Sequence, residues 1–262
     1  MTAVSPQRAA QEAFRIFCTP QKKKAPAESA VSKKAEVLSL KVNDIQIRGY
    51  RWNHPSAQKI LIIHGFESTA RNFEGFITPL INKEYETVAF DAPAHGQSEG
   101  KQIVLPLYIA TIKAIYHAYG PFDAYMAHSL GGMALAHFLQ STPHTAQTKA
   151  VLIAPATEII AVMDRFFQLL GLNDKVRLAF NQLSTEITGI SPEQASINSI
   201  IKNIHANILW LHDTDDDVTP WSDAEKIKEA GFSNIEFVVS SGLGHRRIYR
   251  DPETVNRIIH FL

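Results

Sequence analysis

Short apolar runs punctuate this chain at intervals. Ile60–Ile63, Thr87–Phe90, Ala124–Ala127, Ala150–Ala154, Ile208–Leu211 and Ile235–Val239 are each four or five residues long. Runs of that length read as buried strands. Between several of them the apolar period lengthens toward that of a helix. Arg71–Asn82 places Phe73, Phe76, Ile77, Leu80 and Ile81 on one side, and Val104–Tyr119, Gly131–Leu139 and Pro252–Leu262 behave alike. Apolar strands alternating with helices predict a mostly parallel sheet covered on both faces. Right-handed crossovers then bring the strand C-terminal ends to one edge, where ligand sites of such sheets lie.

Three stretches depart from the alternation. Val37–Val42 and Ile45–Trp52 are separated by Asn43-Asp44 alone, which predicts an antiparallel hairpin at a sheet edge. Residues 1–36 read as an amphipathic helix, with Ala9, Ala10, Ala13, Phe14 and Phe17 on one face, followed by a basic linker. Residues 156–205 contain no strand pattern and are largely helical. They interrupt a core formed by residues 37–155 and 206–262, as a helical lid would. Met163, Phe166 and Phe167 fall at i, i+3 and i+4, and are expected to face the substrate pocket.

Composition narrows the classes. The chain has 262 residues, 45% of them hydrophobic, enough for one large α/β domain. Lys plus Arg and Asp plus Glu both number 26, so no global field attracts nucleic acid or an anionic membrane. Residues 1–51 are an exception, with ten basic and four acidic side chains, concentrated at Lys22, Lys23, Lys24, Lys33 and Lys34. This is read as a solvated face. The single cysteine, Cys18, excludes an intramolecular disulfide. No apolar run approaches the roughly 20 residues that span a bilayer, and no secretory pattern opens the chain. A cytoplasmic location is expected.

The chemistry collects at strand ends. Ala127-His128-Ser129-Leu130-Gly131-Gly132 follows a strand and opens a helix, the small-x-Ser-x-small pattern of a nucleophile elbow. The sharp turn tolerates only small residues two positions either side of Ser129. It also places the Leu130 N–H at a helix N-terminus, where negative charge is favoured. His64-Gly65-Phe66 follows the Ile60–Ile63 strand, and the Phe66 N–H is the candidate for a second oxyanion donor. In Asp91–Ser98 the loop reads as structural support, with His95 a hydrogen-bonding residue. His212–Pro220 carries Asp213, Asp215, Asp216 and Asp217. A calcium loop is rejected, since Val218 stands where that loop needs Gly and Ala224 where it needs a bidentate Glu. One of these carboxylates is better suited to orient a histidine. Gly242-Leu243-Gly244-His245 supplies that histidine on a glycine-flanked loop.

The chain order Ser129, Asp, His245 resembles the α/β-hydrolase superfamily, in particular its serine esterase and lipase branch. The resemblance covers residues 37–262 and implies an α/β-hydrolase fold. The family's acid falls four residues after the histidine that ends its strand, with an apolar residue and Pro behind it. The match here is Asp216, followed by Val218 and Pro220. The implied activity is hydrolysis of a small carboxylic ester through Ser129, Asp216 and His245. Thioester and carbon–carbon bond hydrolysis use the same triad and remain alternatives, as does a ligand-binding member without turnover. The implied partner is a small acyl substrate. No metal or organic cofactor is implied.

Overall fold

A computed structural model describes residues 5–21 and 27–262. Lys22, Lys23 and Lys24 of the expected linker lie outside the described residues. The chain opens with α1 (Pro6–Cys18). The Ser5 hydroxyl accepts the Arg8 N–H and Pro6 sits in the first turn, both favourable at a helix start. There follow β1 (Glu36–Val42), β2 (Ile45–Trp52), β3 (Gln58–Ile63), α2 (Ile77–Asn82), β4 (Tyr85–Phe90), α3 (Leu105–Tyr119), β5 (Ala124–His128), α4 (Leu130–Gln140) and β6 (Lys149–Ile153). The helices α5 (Ile159–Leu170), α6 (Asp174–Thr188) and α7 (Ile197–Ile200) come next. The chain finishes with β7 (Asn207–Asp213), α8 (Trp221–Glu229), β8 (Ile235–Ser240), α9 (Gly244–Arg247) and α10 (Pro252–Phe261).

The eight strands form one sheet in the order β1-β2-β4-β3-β5-β6-β7-β8. β1–β2 and β2–β4 pair antiparallel, and every other pair is parallel. The hairpin turn is as expected: Asn43 and Asp44 have φ of 46° and 62°, the two left-handed positions that a two-residue hairpin demands. β4 and β5 are buried along their whole length, Glu86 of β4 included, whose carboxylate meets His54 at 2.7 Å. One core lies on the side of α3, α4 and α7, and holds Ile112, Phe138 and Trp210. The other lies on the side of α2 and α10, and holds Phe73, Phe76 and Ile258.

Arg71–Asn82 is not one helix. Ala70–Phe76 is a 3₁₀ helix that passes into α2. The Asp91 carboxylate fixes its start by accepting the Ala70 N–H at 2.9 Å. A three-residue turn puts Phe73 and Phe76 directly in line on the core face.

The insertion between β6 and β7 divides in two. Its last part, with Ala195, Ile197, Ile200, Ile201 and Ile204, packs into the sheet core. Only α5 and α6 stand away from it, and they are not alone. α1 packs against them: Ala10, Ala13, Phe14 and Cys18 share a buried cluster with Met163, Phe167, Val176 and Phe180. The segment read as lying outside the hydrolase core is thus the third helix of its cap. Among the described residues no helix is long and apolar enough to cross a membrane.

Phe167 sits at the centre of this cap, its ring edge-on to Phe180 at 5.0 Å. Phe167→Ala is expected to destabilise the folded protein by about 3–5 kcal/mol, the usual loss for a buried phenyl ring. A denaturant titration reads this directly, and an unchanged midpoint would show that the cap core tolerates the void.

Candidate active site

β3 and β5 are parallel neighbours, with Ile63 beside Ala127. Their C-terminal loops therefore leave the sheet side by side. At the end of β5 the chain reverses into α4 through Ser129, whose backbone is held at φ 55° and ψ −125°. A non-glycine residue in that region costs about 1–3 kcal/mol and persists only when its surroundings enforce it. Here the Ser129 N–H donates to Ile153 O at 3.1 Å, and its carbonyl accepts from Gly132 and Ala156. Space is the other constraint. A Cβ on Gly131 would lie 2.4 Å from the His64 carbonyl oxygen, and one on Gly65 would lie 2.7 Å from Ser129 Cβ. Both positions are closed to any side chain.

Ser129 Oγ lies 3.0 Å from His245 Nε2, and His245 Nδ1 lies 2.8 Å from Asp216 Oδ2. The three side chains, far apart in sequence, form one buried hydrogen-bonded line. The four aspartates after β7 separate cleanly by partner. Asp213 accepts from the Ser240 hydroxyl and the Leu243 N–H, and Asp215 from the Ser241 hydroxyl and the Gly242 N–H. Both brace the loop that carries His245. Asp216 alone reaches the imidazole. Its other oxygen accepts the N–H groups of Val218 and Thr219 at 2.8 and 2.7 Å. Burial pushes the Asp216 carboxyl up, but the His245 contact and these N–H groups outweigh it and hold the group below the ordinary carboxylate range.

Thr219 was not visible in the sequence as part of this arrangement. Its hydroxyl donates to Asp216 Oδ2 at 2.9 Å and lies 3.1 Å from His245 Nδ1. A threonine three residues beyond an aspartate carries no signal of its own.

Ser129 opens into a cavity of about 550 Å³. Phe66 and Leu130 both line it beside Ser129, and among the described residues neither backbone N–H is taken by another acceptor. Leu130 begins α4, so its N–H is one of the helix's free donors. Of the three expected pocket residues, Met163 and Phe166 line the cavity. Phe167 does not; it turns toward Phe180 and the cap interior.

Residues 54–203, more than half the chain, match the family model described as serine aminopeptidase, S33. The chain belongs to that family. A serine hydrolase-like protein of Danio rerio is 25% identical over 139 residues, which make up 50% of this chain and 42% of that protein. The chain spans less than half the length of the curated relatives it matches. Among solved structures, an esterase of Pyrococcus furiosus superposes with a TM-score of 0.69 at 18% identity, over 94% of this chain and 96% of that one. A thioesterase domain from the curacin biosynthetic pathway gives 0.62 at 18% identity, over 86% and 98%. At such identities the likeness concerns fold, and the fold is that of the α/β-hydrolases.

Within this fold three neutral histidines pin the loops around Ser129. His64 Nε2 accepts the Ala92 N–H at 2.9 Å while its Nδ1 donates to Gly65 O. His95 Nε2 accepts the Glu67 N–H at 3.0 Å while its Nδ1 donates to Pro93 O, the supporting role read from the sequence. His128, next to the serine, donates from Nε2 to the backbone carbonyl of His245 at 2.9 Å. Burial lowers the imidazoles of His64 and His95 to about 4 and that of His128 to about 3. An acceptor ring nitrogen that gains a proton loses its N–H partner, so the bonds at His64 and His95 require the neutral form.

Stability follows from this. Below pH 6.5 the unfolded chain binds protons at these positions and the folded chain does not. The histidine contribution is therefore complete above pH 6.5 and is lost as pH falls toward 4. The slope is up to about 1.4 kcal/mol per pH unit for each histidine. Denaturant midpoints at pH 7, 6 and 5 should fall in that order, and a flat series would show that the three rings are solvated.

Proposed function

We propose that the protein is a serine hydrolase that cleaves carboxylic esters through an acyl-enzyme. The observation that carries this is the buried line from Ser129 Oγ through His245 to Asp216, opening into a largely apolar cavity. His245, protonated on Nδ1 toward Asp216, presents a free Nε2 lone pair to the serine. As Ser129 Oγ attacks the ester carbonyl, its proton passes to Nε2, and the carboxylate of Asp216 stabilises the imidazolium. The carbonyl oxygen gains negative charge against the Phe66 and Leu130 N–H groups, each such donor contributing about 3–4 kcal/mol to the barrier reduction. Nε2 then protonates the departing alkoxide, and water repeats the sequence to release the acid.

The family's printed description refers to an aminopeptidase. An aminopeptidase must hold a free ammonium beside the scissile bond, which calls for an unengaged carboxylate in the pocket. Glu67 is the acidic side chain among the described residues lining the cavity, and it is engaged. It accepts the Gln21 N–H and faces Arg246 at 3.6 Å. Neutral acyl groups fit this cavity better than N-terminal residues of peptides.

Ser129→Ala is expected to reduce ester turnover on the order of a millionfold and to abolish labelling by a fluorophosphonate, with the fold retained. Turnover within tenfold of the wild type would remove the mechanism. Asp216→Asn should exceed Asp213→Asn in its loss of turnover by at least about a hundredfold, because only the first leaves the imidazole without its carboxylate. Equal losses in the two variants would transfer the role of orienting His245 away from Asp216.

A further inference from the structure

The cavity at Ser129 has a wall that does not come from the sheet or from the insertion. It comes from α1 and the residues after it: Phe14, Phe17 and Cys18, then Thr19 and Gln21. This wall is fixed at several points. The Cys18 carbonyl accepts the Ile103 N–H at 2.9 Å, the Arg15 carbonyl accepts from the Gln102 side chain at 3.2 Å, and the Gln21 N–H donates to Glu67 at 3.2 Å. Phe17 meets Phe166 of α5 edge-on at 5.1 Å and Phe180 of α6 at 5.7 Å. α1 is therefore bonded to the loop before α3 on one side and packed on the cap helices on the other.

The shape and chemistry of the wall define what it contacts. Phe14 to Cys18 is about 6 Å of helix, and the lining continues through Thr19 to Gln21. Met163 and Phe166 of α5 adjoin this wall, Phe166 through its edge-on contact with Phe17. The Cys18 thiol is neutral here, since burial pushes it up to about 12. Among the described residues, the charged side chains in the lining are Glu67, already bonded, and Arg165, which is exposed. A cavity of about 550 Å³ with aromatic and aliphatic walls, and with the charges of its described lining either engaged or exposed, favours a flexible hydrocarbon chain over a charged group.

Resting on the esterase reading above, we propose that the substrates are esters of aliphatic acids of octanoyl length or longer. Their acyl chain lies along the wall that α1 and α5 form together, and Phe17 sets its length. Another reaction must then supply the ester, and another consume the medium- or long-chain carboxylate that hydrolysis releases together with the alcohol. Each methylene that enters the cavity raises kcat/KM about fourfold, until the chain meets its end.

The first experiment uses the unaltered protein. An alkyl fluorophosphonate whose chain ends in a diazirine is bound to Ser129, irradiated and digested. The expected cross-link falls on the peptide containing Phe14–Cys18. Cross-links confined to other segments, or quenched by solvent alone, overturn the proposal while leaving the esterase reading intact. Absence of any label on Ser129 overturns both. The second experiment compares acetyl, octanoyl, dodecanoyl and hexadecanoyl esters. Phe17→Trp should lower the ratio of kcat/KM for dodecanoyl over acetyl at least tenfold, and Phe17→Ala should move the optimum to longer chains. A ratio that stays within twofold in both variants, with Ser129 still labelled, refutes the role of Phe17.

Discussion

The backbone of Ser129 is the constraint on which the site depends. At φ 55° and ψ −125° it directs Oγ away from the sheet and starts α4 in the next residue. Such a conformation is unfavourable by itself, so the surroundings must remove the alternatives. They do so through close approach. The glycine at 131 lets the first turn of α4 come against the His64 carbonyl, and the glycine at 65 lets the neighbouring loop pass beside Ser129 Cβ. The same approach carries Phe66 and Leu130 to the same cavity. Strain at one residue and the placement of two donors thus share a single cause: β3 and β5 are adjacent, and nothing with a side chain fits between their loops.

Around that point the polar groups divide the work by charge. The rings of His64 and His95 are kept neutral by burial and act as backbone connectors. Asp213 and Asp215 keep the His245 loop in place through its own hydroxyl and N–H groups. That leaves one carboxylate, Asp216, aimed at one imidazole. Its remaining oxygen is saturated by Val218 and Thr219, so it has no freedom to rotate away. Four aspartates within five residues look interchangeable in sequence, and the loop after β8 is what distinguishes them.

What could be read from the chain follows from how local each constraint is. The Asn43-Asp44 turn, the elbow at Ser129 and the apolar strands are dictated by backbone geometry within a few residues, and each leaves its mark on residue type. The spacing of Phe73, Phe76, Ile77 and Leu80 fits both three and 3.6 residues per turn, so it could not separate the 3₁₀ segment from α2. Phe166 and Phe167 are both large and apolar, yet successive helical residues point about 100° apart. One meets the cavity and the other the cap interior, and only the packing of α1 and α6 decides which. The amphipathic face of α1 announced that the helix is buried; nothing in its pattern names the surface that buries it.

The docking of α1 also separates two properties that usually share one segment. The matched family region, residues 54–203, contains Ser129 and the α5–α6 pair, whereas Asp216 and His245 come from beyond it. The hydrogen-bonded line that begins at Ser129 is thus completed from the C-terminal third of the chain, and one wall of the cavity comes from the N-terminal helix. α1 is bonded to the loop before α3 and to the cap, and it touches neither Asp216 nor His245 through any hydrogen bond among the described residues. A change in α1 therefore alters the volume of the cavity without altering the hydrogen-bonded line from Ser129 to Asp216. The wall that shapes the cavity and the buried polar line that meets it reside in different parts of the sequence, joined only by the cavity itself.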